Sequence, residues 1–505
     1  MNAHIATDSQ AAKPSLLSIV IHDYDHDALA HCLEAIFCQN RIGGFEVIIC
    51  DNATSDGSWE IANAWMARHP DRITLNRNQL PMNAAGNSDK SIQMAGGKYY
   101  VVLTRDRKFD ATYIQSVIPR LEADPLLIHA YIGKVKDHRP LGNWNGKPSP
   151  ELKRTDNPLV SINVHNYNYG AYLRQCLDSI AAQTYGNIEI CFSDNASSDE
   201  SWQIALEFSR HYPHRMSMTR NRKNLGASRN LINCLIHNQG KYMLMLCSDD
   251  AMQPDFVERC VTLLERHPDA AFAMVHRSII DEAGCVTEEP PFYDRTCLIP
   301  GEEQAAVYMM AAVNPSISQI LYNRERTQVK DLAAGFNTRW FGARVLDFTL
   351  CLDHPVVYIK EPLLLNRVHG GSDGAAIDAN LMQCTGQYVL LHQLAEIAGA
   401  HGLTKAAGRL GEATEKVGRL CLRYCARFLL QNEEATALRY LHLGQAIFPG
   451  IVTDDTFRML HDYWYPTTQG KTRPKILAAL TNQANLALRS VSYSAPPSSI
   501  ECRAI

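Results

Sequence analysis

The sequence lacks several features that would place it in a common class of protein. No stretch approaches the run of about 18 uncharged apolar residues that a membrane-spanning helix requires. The 15 cysteines form no zinc-type pair of Cys-x-x-Cys motifs, and most lie inside apolar runs, as is typical of a protein from a reducing cytosol. There is no basic block, and a net charge of −4 gives no reason to expect a nucleic-acid partner.

Signatures of phosphate binding and export are missing as well. Neither G-x-x-x-x-G-K-[ST] nor G-x-G-x-x-G occurs, so kinase, ATPase and Rossmann dehydrogenase functions lose their main support. The N-terminus, "MNAHIATDSQAAKPS", has no basic segment followed by an apolar one, so we expect no signal peptide. We therefore expect a cytoplasmic protein, with peripheral association at the inner face of a membrane left open.

What the sequence does contain is a long internal repeat. Its two copies match over about ninety residues at an offset of 143, which drifts by one only across the first helix, where "HCLEAI" faces "QCLDSI"; this predicts a duplicated domain rather than a solenoid. The matching stretches are "LSIVIHDYD" (17–25) with "VSINVHNYN" (160–168), "CDNATSDGSW" (50–59) with "SDNASSDESW" (193–202), and "AGGKYYVVLTRDR" (95–107) with "NQGKYMLMLCSDD" (238–250).

Composition along the chain predicts the domain boundaries. A stretch rich in Pro, Gly and charge separates the two copies, and the last part carries apolar residues at helical spacing. The predicted parts are a flexible tail (1–14), a degenerate first copy (15–135), a linker (136–158), a catalytic domain that begins with the second copy (159–375), a helical domain (376–490) and a second flexible tail (491–505).

Strands and helices alternate within the second copy. Short β-rich runs such as "LVSINV" and "IEICFS" are each followed by a helical pattern. In "AYLRQCLDSIAAQ", Leu173, Cys176, Leu177 and Ile180 fall on one helical face. This alternation predicts an α/β fold with a mostly parallel sheet in each copy, followed by an α-helical C-terminal region.

Polar residues cluster where the strands of the second copy end: His165 to Asn168, Asp194-Asn195, and Ser248 to Asp250. Ligands of open α/β sheets bind outside the carboxyl ends of the strands, so three such clusters favour a binding site. A single Asp at a strand end more often caps a helix or closes a turn, and Asp199 is expected to cap the helix that follows it.

The adjacent carboxylates of Asp249 and Asp250 repel each other unless a cation or hydrogen-bond donors compensate. Magnesium and manganese prefer carboxylate and phosphate oxygens together, so the pair predicts a divalent metal shared with a diphosphate.

Together these motifs resemble those of the family-2 glycosyltransferases, which have the GT-A fold. The resemblance runs from about 159 to 375 and includes "VSINVHNYNYGAYLRQCLDSIAAQTYGNIEICFSDNASSDESW", "NLGASRNLINCLIHNQGKYMLMLCSDD" and "RWFGARVLDFTLCLDHPVVYIKEPLLLNRVHGGSDG". It implies a tandem of GT-A-like domains of which the N-terminal copy is degenerate.

The resemblance also implies roles for single residues. Asp347 falls where the catalytic base sits, although Leu346 precedes it where the family commonly has another acid. The implied nucleotide-sugar-binding residues are His165, Tyr167, Asp194, Arg229 and Asp249, and the implied metal or diphosphate ligands are Asp250 and His369.

The implied reaction is inverting, Mn²⁺- or Mg²⁺-dependent transfer of a sugar from a nucleotide-diphosphate donor, with UDP-sugars favoured, to a glycan or lipid-linked acceptor. From the family we expect a role in bacterial surface polysaccharide or glycoconjugate synthesis. The C-terminal helices are expected to support self-association. The first copy has Arg107 where the second has Asp250, and Gly86 where the second has Arg229, so we expect it not to catalyse transfer.

Other functions remain open at this point. The protein could be an inactive nucleotide-sugar or glycan-binding protein, but the intact Asp249-Asp250 pair argues against that interpretation. A nucleotidyltransferase would need a Gly-rich, Arg-containing loop after the first strand, where this chain has "HNYNYGAYL". A processive two-site polymerase is disfavoured by Arg107.

Overall fold

The structure is a computed structural model of the chain. It describes residues 17–22, 24–37, 44–82, 84–97, 99–103, 132–134, 157–212, 215–310, 315–327, 342–370, 380–467, 470–482 and 494–502. Arg107, the tail at 1–14 and nearly all of the linker lie outside these residues. The chain divides into two compact units: Met1–Leu177, Asn187–Gly240 and Met245–Ser248 form unit 1, and Asp178–Gly186, Lys241–Leu244 and Asp249–Ile505 form unit 2.

Unit 1 contains the strands of the first copy and the first three strands of the second. The sheet has the order β6–β7–β8–β3–β2–β1–β4–β5. Strands β1, β2 and β3 of the first copy pair in parallel, and so do β6, β7 and β8 of the second. Strands β3 and β8, where the two copies meet, pair antiparallel. The strands are β1 (Leu17–Ile21), β2 (Phe45–Asp51), β3 (Ile73–Arg77), β4 (Tyr99–Leu103), β5 (Ile132–Lys134), β6 (Val160–Asn166), β7 (Ile188–Asp194) and β8 (Met216–Arg220).

Helices connect these strands. Strands β1 and β2 are buried along their whole length, as expected for parallel strands covered on both faces. The helix predicted from "AYLRQCLDSIAAQ" is confirmed, and its four named apolar residues are all buried. The helices are α1 (His26–Phe37), α2 (Ser58–Arg68), α3 (Ala84–Gln93), α4 (Gly170–Ala181), α5 (Ser201–His211) and α6 (Ala227–Leu235).

The two copies repeat their local structure as well as their sequence. A Cβ atom at Gly240 would lie 2.7 Å from the carbonyl oxygen of Leu159, and one at Gly97 would lie 2.8 Å from the main-chain nitrogen of Ser18. At both positions the chain approaches the preceding strand so closely that only glycine fits. The repeat predicted from the sequence is therefore also a structural repeat.

Unit 2 contains a second set of strands in the order β16–β13–β15–β11–β14–β9, with β10 paired to β15 and β12 to β11. The long strand β15 is parallel to β11 and antiparallel to β13 and β10. The strands are β9 (Tyr242–Cys247, its first three residues in this unit), β10 (Ala251–Met252), β11 (Phe272–Ile280), β12 (Val286–Glu288), β13 (Cys297–Ile299), β14 (Ile320–Asn323), β15 (Val356–Arg367) and β16 (Ile500–Glu501).

Helices complete unit 2, and those in its C-terminal part confirm the helical region predicted from apolar spacing. The rings of Tyr424 and Phe428 stack on Tyr440 at 5.0 and 5.7 Å. The helices are α7 (Phe256–Arg266), α8 (Gly301–Tyr308), α9 (Gly342–Leu350), α10 (Met382–Ala400), α11 (Thr404–Ala407), α12 (Leu410–Leu430), α13 (Glu434–Ile447), α14 (Asp455–Trp464) and α15 (Arg473–Asn482). Among the helices in the described residues, none combines the length and the apolar character needed to cross a membrane.

Residues 494–502 differ from the flexible tail expected over 491–505. Strand β16 pairs antiparallel with β13, and the main-chain nitrogen of Cys502 donates to the carbonyl of Thr296 over 3.0 Å. Ala495 and Cys502 are buried. The polar composition of this segment predicts a tail, but main-chain pairing with a sheet edge does not depend on side-chain polarity.

Candidate functional site

In unit 1, the carboxyl ends of β6 and β7 bring two of the predicted clusters together. His165 lies opposite Ser193 and Asn166 opposite Asp194 in the parallel register. The side chain of Asn166 donates a 3.0 Å hydrogen bond to Oδ1 of Asp194. Because parallel strands end at the same edge of a sheet, residues that are 28 positions apart in the sequence become direct neighbours.

The Asp194 carboxylate is fully buried and closes its own turn. Its oxygens accept bonds from the hydroxyl and main-chain nitrogen of Ser197 at 2.5 and 3.1 Å, and Arg220 lies 3.4 Å away. Burial raises the pKa of Asp194, opposed by these bonds and by the Arg220 charge. The described contacts thus give Asp194 a scaffold role, and its bond to a nucleotide base stays a prediction.

Tyr167 and Arg229 are the exposed members of this edge. Tyr167 is 44% exposed and directly follows β6, where a planar ring could lie against a base. Arg229 is exposed on α6, next to Asn230, whose side chain donates to the carbonyls of Asn166 and Ser193 over 3.1 Å each. The buried Asn230 therefore fixes the helix turn that carries Arg229 to the ends of β6 and β7.

His165 is partly buried near the end of β6, between the buried Val164 and Asn166. Its Nδ1 atom is buried and makes no hydrogen bond within the described residues. Burial lowers the pKa of His165 to about 4, so the ring is neutral near pH 7. Its predicted role in binding a nucleotide sugar stays a prediction.

In unit 2, the acidic pair follows β9 and precedes β10. Oδ1 of Asp250 accepts hydrogen bonds from the side-chain nitrogen of Asn366 at 2.9 Å and from the main-chain nitrogen of Arg367 at 2.8 Å. Oδ2 of Asp250 is buried and has no hydrogen-bond partner within the described residues. The carboxylates of Asp249 and Asp250 offer oxygens within 4.8 Å of each other, as a cation bound by both requires.

The electrostatics of the pair also fit a cation. The pKa of Asp250 is raised mainly by burial and, to a smaller extent, by the charge of Asp249. Burial raises the pKa of Asp249 too, opposed by hydrogen bonding to His369 and by the charge of Arg367. A buried carboxylate with one free oxygen beside a second carboxylate is costly without a counter-ion, so these oxygens suit a hard divalent metal.

His369 contacts the pair directly. Its Nε2 atom lies 3.2 Å from Oδ2 of Asp249, and its side chain is 5% exposed. The structure therefore brings Asp249, Asp250 and His369 together, although the sequence separates the histidine from the acids by more than a hundred residues.

Sequence reasoning missed Asn366 and Arg367, which hold this pair in place. Besides its main-chain bond to Asp250, Arg367 donates from Nε to the carbonyl of Asp249 at 2.9 Å and from Nη1 to the carbonyl of Asp281 at 2.8 Å. One sequence signal could have indicated this supporting role. Asn366 and Arg367 directly follow the apolar run "PLLL", and Arg367 lies two residues before His369.

Asp347 lies on α9 and is 1% exposed. The hydroxyl of Tyr322 donates a 2.7 Å hydrogen bond to Oδ1 of Asp347. Burial raises the pKa of Asp347 to about 7, although the Tyr322 bond and the charge of Arg344 both lower it. A carboxyl with a pKa near 7 suits a general base at neutral pH, whereas its complete burial also suits a structural brace.

A short segment links the acidic pair to Asp347. Ser318, in a 3₁₀ turn at Ile317–Gln319, lowers the pKa of Asp250, and this turn leads directly into β14, which carries Tyr322. Both Ser318 and Tyr322 are fully buried. Residues that influence both carboxyl groups thus lie on a single buried stretch of chain.

The first copy keeps the scaffold of the nucleotide half. Asp51 accepts from Thr54 and lies 3.2 Å from Arg77, and Asp194 has the corresponding contacts with Ser197 and, at 3.4 Å, with Arg220. Tyr24, however, is buried, whereas its counterpart Tyr167 is exposed. The scaffold is therefore duplicated, whereas the exposure of the tyrosine is not.

The chain matches a known protein family in two places. The family description "Glycosyl transferase family 2" matches residues 18–165 and again residues 161–314, more than half of the chain in total. The chain belongs to glycosyl transferase family 2. The double match also confirms the tandem of family-2 domains, and with it the GT-A-type α/β fold.

Curated relatives of this family-2 chain cover parts of it. EpsE of Bacillus subtilis is 32% identical over 127 residues, 25% of this chain and 46% of EpsE, and EpsH of the same organism is 34% identical over 226 residues, 42% of this chain and 62% of EpsH. The chondroitin synthase of Escherichia coli is 32% identical over 136 residues, 27% of this chain and 19% of the synthase. The matches thus span less than two thirds of each relative's length.

Solved structures with a similar arrangement have low sequence identity to this chain. S. aureus TarS 1–349 has 12% identity and a TM-score of 0.42, covering 65% of this chain and 91% of TarS 1–349. The mannosyltransferase PcManGT from Pyrobaculum calidifontis, in complex with GDP-Man and Mn²⁺, has 15% identity and a TM-score of 0.38, covering 68% of this chain and 91% of PcManGT.

Proposed function

We propose that this protein transfers a sugar from a nucleotide-diphosphate donor, preferably a UDP-sugar, to a hydroxyl group of a glycan or lipid-linked acceptor. The single observation that carries the proposal is the state of Asp250 in a family-2 chain. One of its buried oxygens is held by Asn366 and Arg367, and the other is left without a partner in the described residues.

The acidic pair would hold a divalent cation, Mn²⁺ or Mg²⁺, through Asp250 and Asp249, with His369 as a further ligand or diphosphate contact. When bound, such a cation neutralises negative charge that develops on a leaving nucleoside diphosphate. In unit 1, Tyr167, Asp194 and Arg229 are proposed to bind the nucleotide, with Tyr167 and Arg229 as its exposed contacts.

Asp347 is proposed as the general base. Its carboxylate would take the proton from the acceptor hydroxyl while that oxygen bonds to the anomeric carbon of the sugar. The bond from this carbon to the diphosphate oxygen breaks on the opposite face, so the configuration inverts. The neutral form of Asp347, favoured by burial, must lose its proton before each turnover, so transfer should be slow well below pH 7.

The catalytic part is proposed to lie within 159–375, and surface polysaccharide or glycoconjugate synthesis is the proposed biological role. A panel of nucleotide sugars tests this function, with thermal stabilisation and release of nucleoside diphosphate measured with and without Mn²⁺. Release that depends on both Mn²⁺ and an added glycan acceptor supports transfer. Stabilisation without release, for every donor and acceptor tried, would instead indicate a nucleotide-sugar-binding protein.

A further inference from the structure

The two copies meet in unit 1 through a seam with internal two-fold character. In the antiparallel pairing of β3 with β8, Leu75 lies opposite Arg220 and Arg77 opposite Met218. At the offset of 143, Leu75 is the counterpart of Met218 and Arg77 that of Arg220, so each pairing is the repeat image of the other.

The centre of the seam is marked by a residue that touches its own counterpart. The hydroxyl of Thr219 lies 3.4 Å from Oδ1 of Asn76, exactly one repeat offset of 143 residues away. In a symmetric dimer only residues at the two-fold axis contact their own equivalents. The β3–β8 seam therefore has the geometry of an isologous dimer interface within one chain.

Each copy buries a glutamate near the start of its second strand. Glu46 accepts from the Ser18 hydroxyl at 2.5 Å and from the Gly96 nitrogen at 2.6 Å. Its counterpart Glu189 accepts from Ser161 and from the Gln239 nitrogen at 2.6 Å. Both side chains are almost completely buried, so each requires a compensating positive charge.

The compensating charge for Glu46 comes from the opposite copy. Nε of Arg222, in the second copy, lies 2.6 Å from Oε2 of Glu46 in the first. The buried amine of Lys90 in the first copy donates a 2.8 Å hydrogen bond to Oδ1 of Asn78. Burial lowers the pKa of Lys90 to about 8, opposed by the charges of Cys50 and then of Cys191 and Glu189, the last two in the second copy. A third contact joins the copies where the indole of Trp202 lies 3.3 Å from the side-chain oxygen of Asn63.

We propose that the first copy packs on the second as one subunit of a symmetric dimer packs on the other. The edge of β8 fits a second nucleotide-binding half of the same fold. The two copies therefore unfold as one cooperative body. Loss of either copy would leave an unpaired sheet edge, and loss of the second copy would also leave the buried Glu46 carboxylate without its cation. This explains why a copy that has Gly86 where the second copy has Arg229 keeps its scaffold. It does not depend on the proposed transferase activity.

The test uses the full chain with Arg222→Gln, Glu46→Gln, the double variant, and Arg174→Gln as the matched control. Arg174 pairs with Glu207 at a surface where both side chains are about half exposed, so its loss should barely change the melting temperature. Arg222→Gln should lower the melting temperature by roughly 5–15 °C, because it strands the buried Glu46. The double variant should recover much of that loss.

Amide hydrogen exchange locates the effect. Arg222→Gln, a change in the second copy, should speed exchange in β2 and β3 of the first copy as much as in β7 and β8. Faster exchange confined to the second copy, or additive losses in the double variant, would overturn the proposal. If Arg222→Gln fails to fold but the double variant folds, the result supports the coupling of the two copies through Arg222 and Glu46. If both of these variants fail to fold while Glu46→Gln folds normally, the result overturns that coupling.

Discussion

The main-chain nitrogen of Arg367 donates a 2.8 Å hydrogen bond to Oδ1 of Asp250, across 117 positions of sequence. The same arginine reaches the carbonyl of Asp249 with its side chain. The end of β15 therefore supports the acidic pair from both its backbone and its guanidinium. Residues that orient metal ligands commonly affect metal affinity almost as strongly as the ligands do.

Arg367→Met should weaken Mn²⁺ binding by about 10- to 100-fold, because the carbonyls of Asp249 and Asp281 lose their donor. Isothermal calorimetry with Mn²⁺ in the presence of UDP measures this directly. The control is Arg326→Met, which removes a partly exposed arginine paired with Asp269. Unchanged Mn²⁺ affinity in a folded Arg367→Met protein would contradict the role assigned to the guanidinium.

Asp347→Asn should separate catalysis from stability. As a base, Asp347 contributes mainly to the transition state, so the variant should bind donor normally and transfer sugar about 10²–10⁴-fold more slowly. Normal turnover in the folded variant would rule out the base assignment.

The same substitution gives a pH-dependent stability change of defined sign. The pKa of Asp347 is about 7 in the folded protein and near 4 when unfolded, so its stabilising effect is complete below about pH 4 and is lost as the pH rises through 7. Asn stays neutral throughout. The melting temperature of Asp347→Asn should therefore rise relative to wild type between pH 5 and 8. Asp353→Asn, near the end of the same helix and exposed, serves as control.

Tyr322→Phe should shift the pH dependence of transfer. The Tyr322 hydroxyl lowers the pKa of Asp347, so its removal raises that pKa and moves the acidic limb of the pH–rate profile to higher pH. Tyr463→Phe, which removes a hydroxyl bonded to Glu434 in the C-terminal helices, is the matched control. An acidic limb that stays in place would mean that Asp347 does not set it.

The repeat supplies its own control for Asn230. Its side chain donates to two carbonyls and accepts from Ser193 and Asn221, whereas the amide nitrogen of its counterpart Asn87 has no partner within the described residues. Asn230→Ala should lower the free energy of unfolding by about 2–4 kcal/mol, and clearly more than Asn87→Ala does. Equilibrium denaturation of both variants compares them, and equal losses would contradict the anchoring role of Asn230.

Local patterns predicted much of this fold. The repeat, the buried face of α4 and the C-terminal helices follow from spacing along the chain. The cap expected at Asp199 is displaced: Glu200 is the N-cap residue, and Asp199, one residue before it, accepts from the main-chain nitrogen of Ser201. Three strand-end clusters also indicated which residues to consider for a site. These features depend on contacts between residues close in sequence or on exact repetition.

The remaining features depend on distant contacts that no local pattern specifies. Asn366 and Arg367 reach Asp250 across more than a hundred residues, and the antiparallel β3–β8 seam reverses the direction expected of a parallel sheet. The burial of Asp194 and Asp347 likewise follows from packing around them. Sequence periodicity indicates which residues are polar, but not whether their oxygens face a ligand or a neighbouring side chain.

The most direct test of a role for Asp250 in metal-dependent sugar transfer is the turnover of wild-type and Asp250→Asn protein with and without Mn²⁺. Release of nucleoside diphosphate from a panel of nucleotide sugars, in the presence of acceptor, is the measurement. We predict Mn²⁺-stimulated turnover in the wild type, and loss of both turnover and Mn²⁺ response in a folded Asp250→Asn protein. Near-normal, Mn²⁺-dependent turnover in that variant would contradict this role.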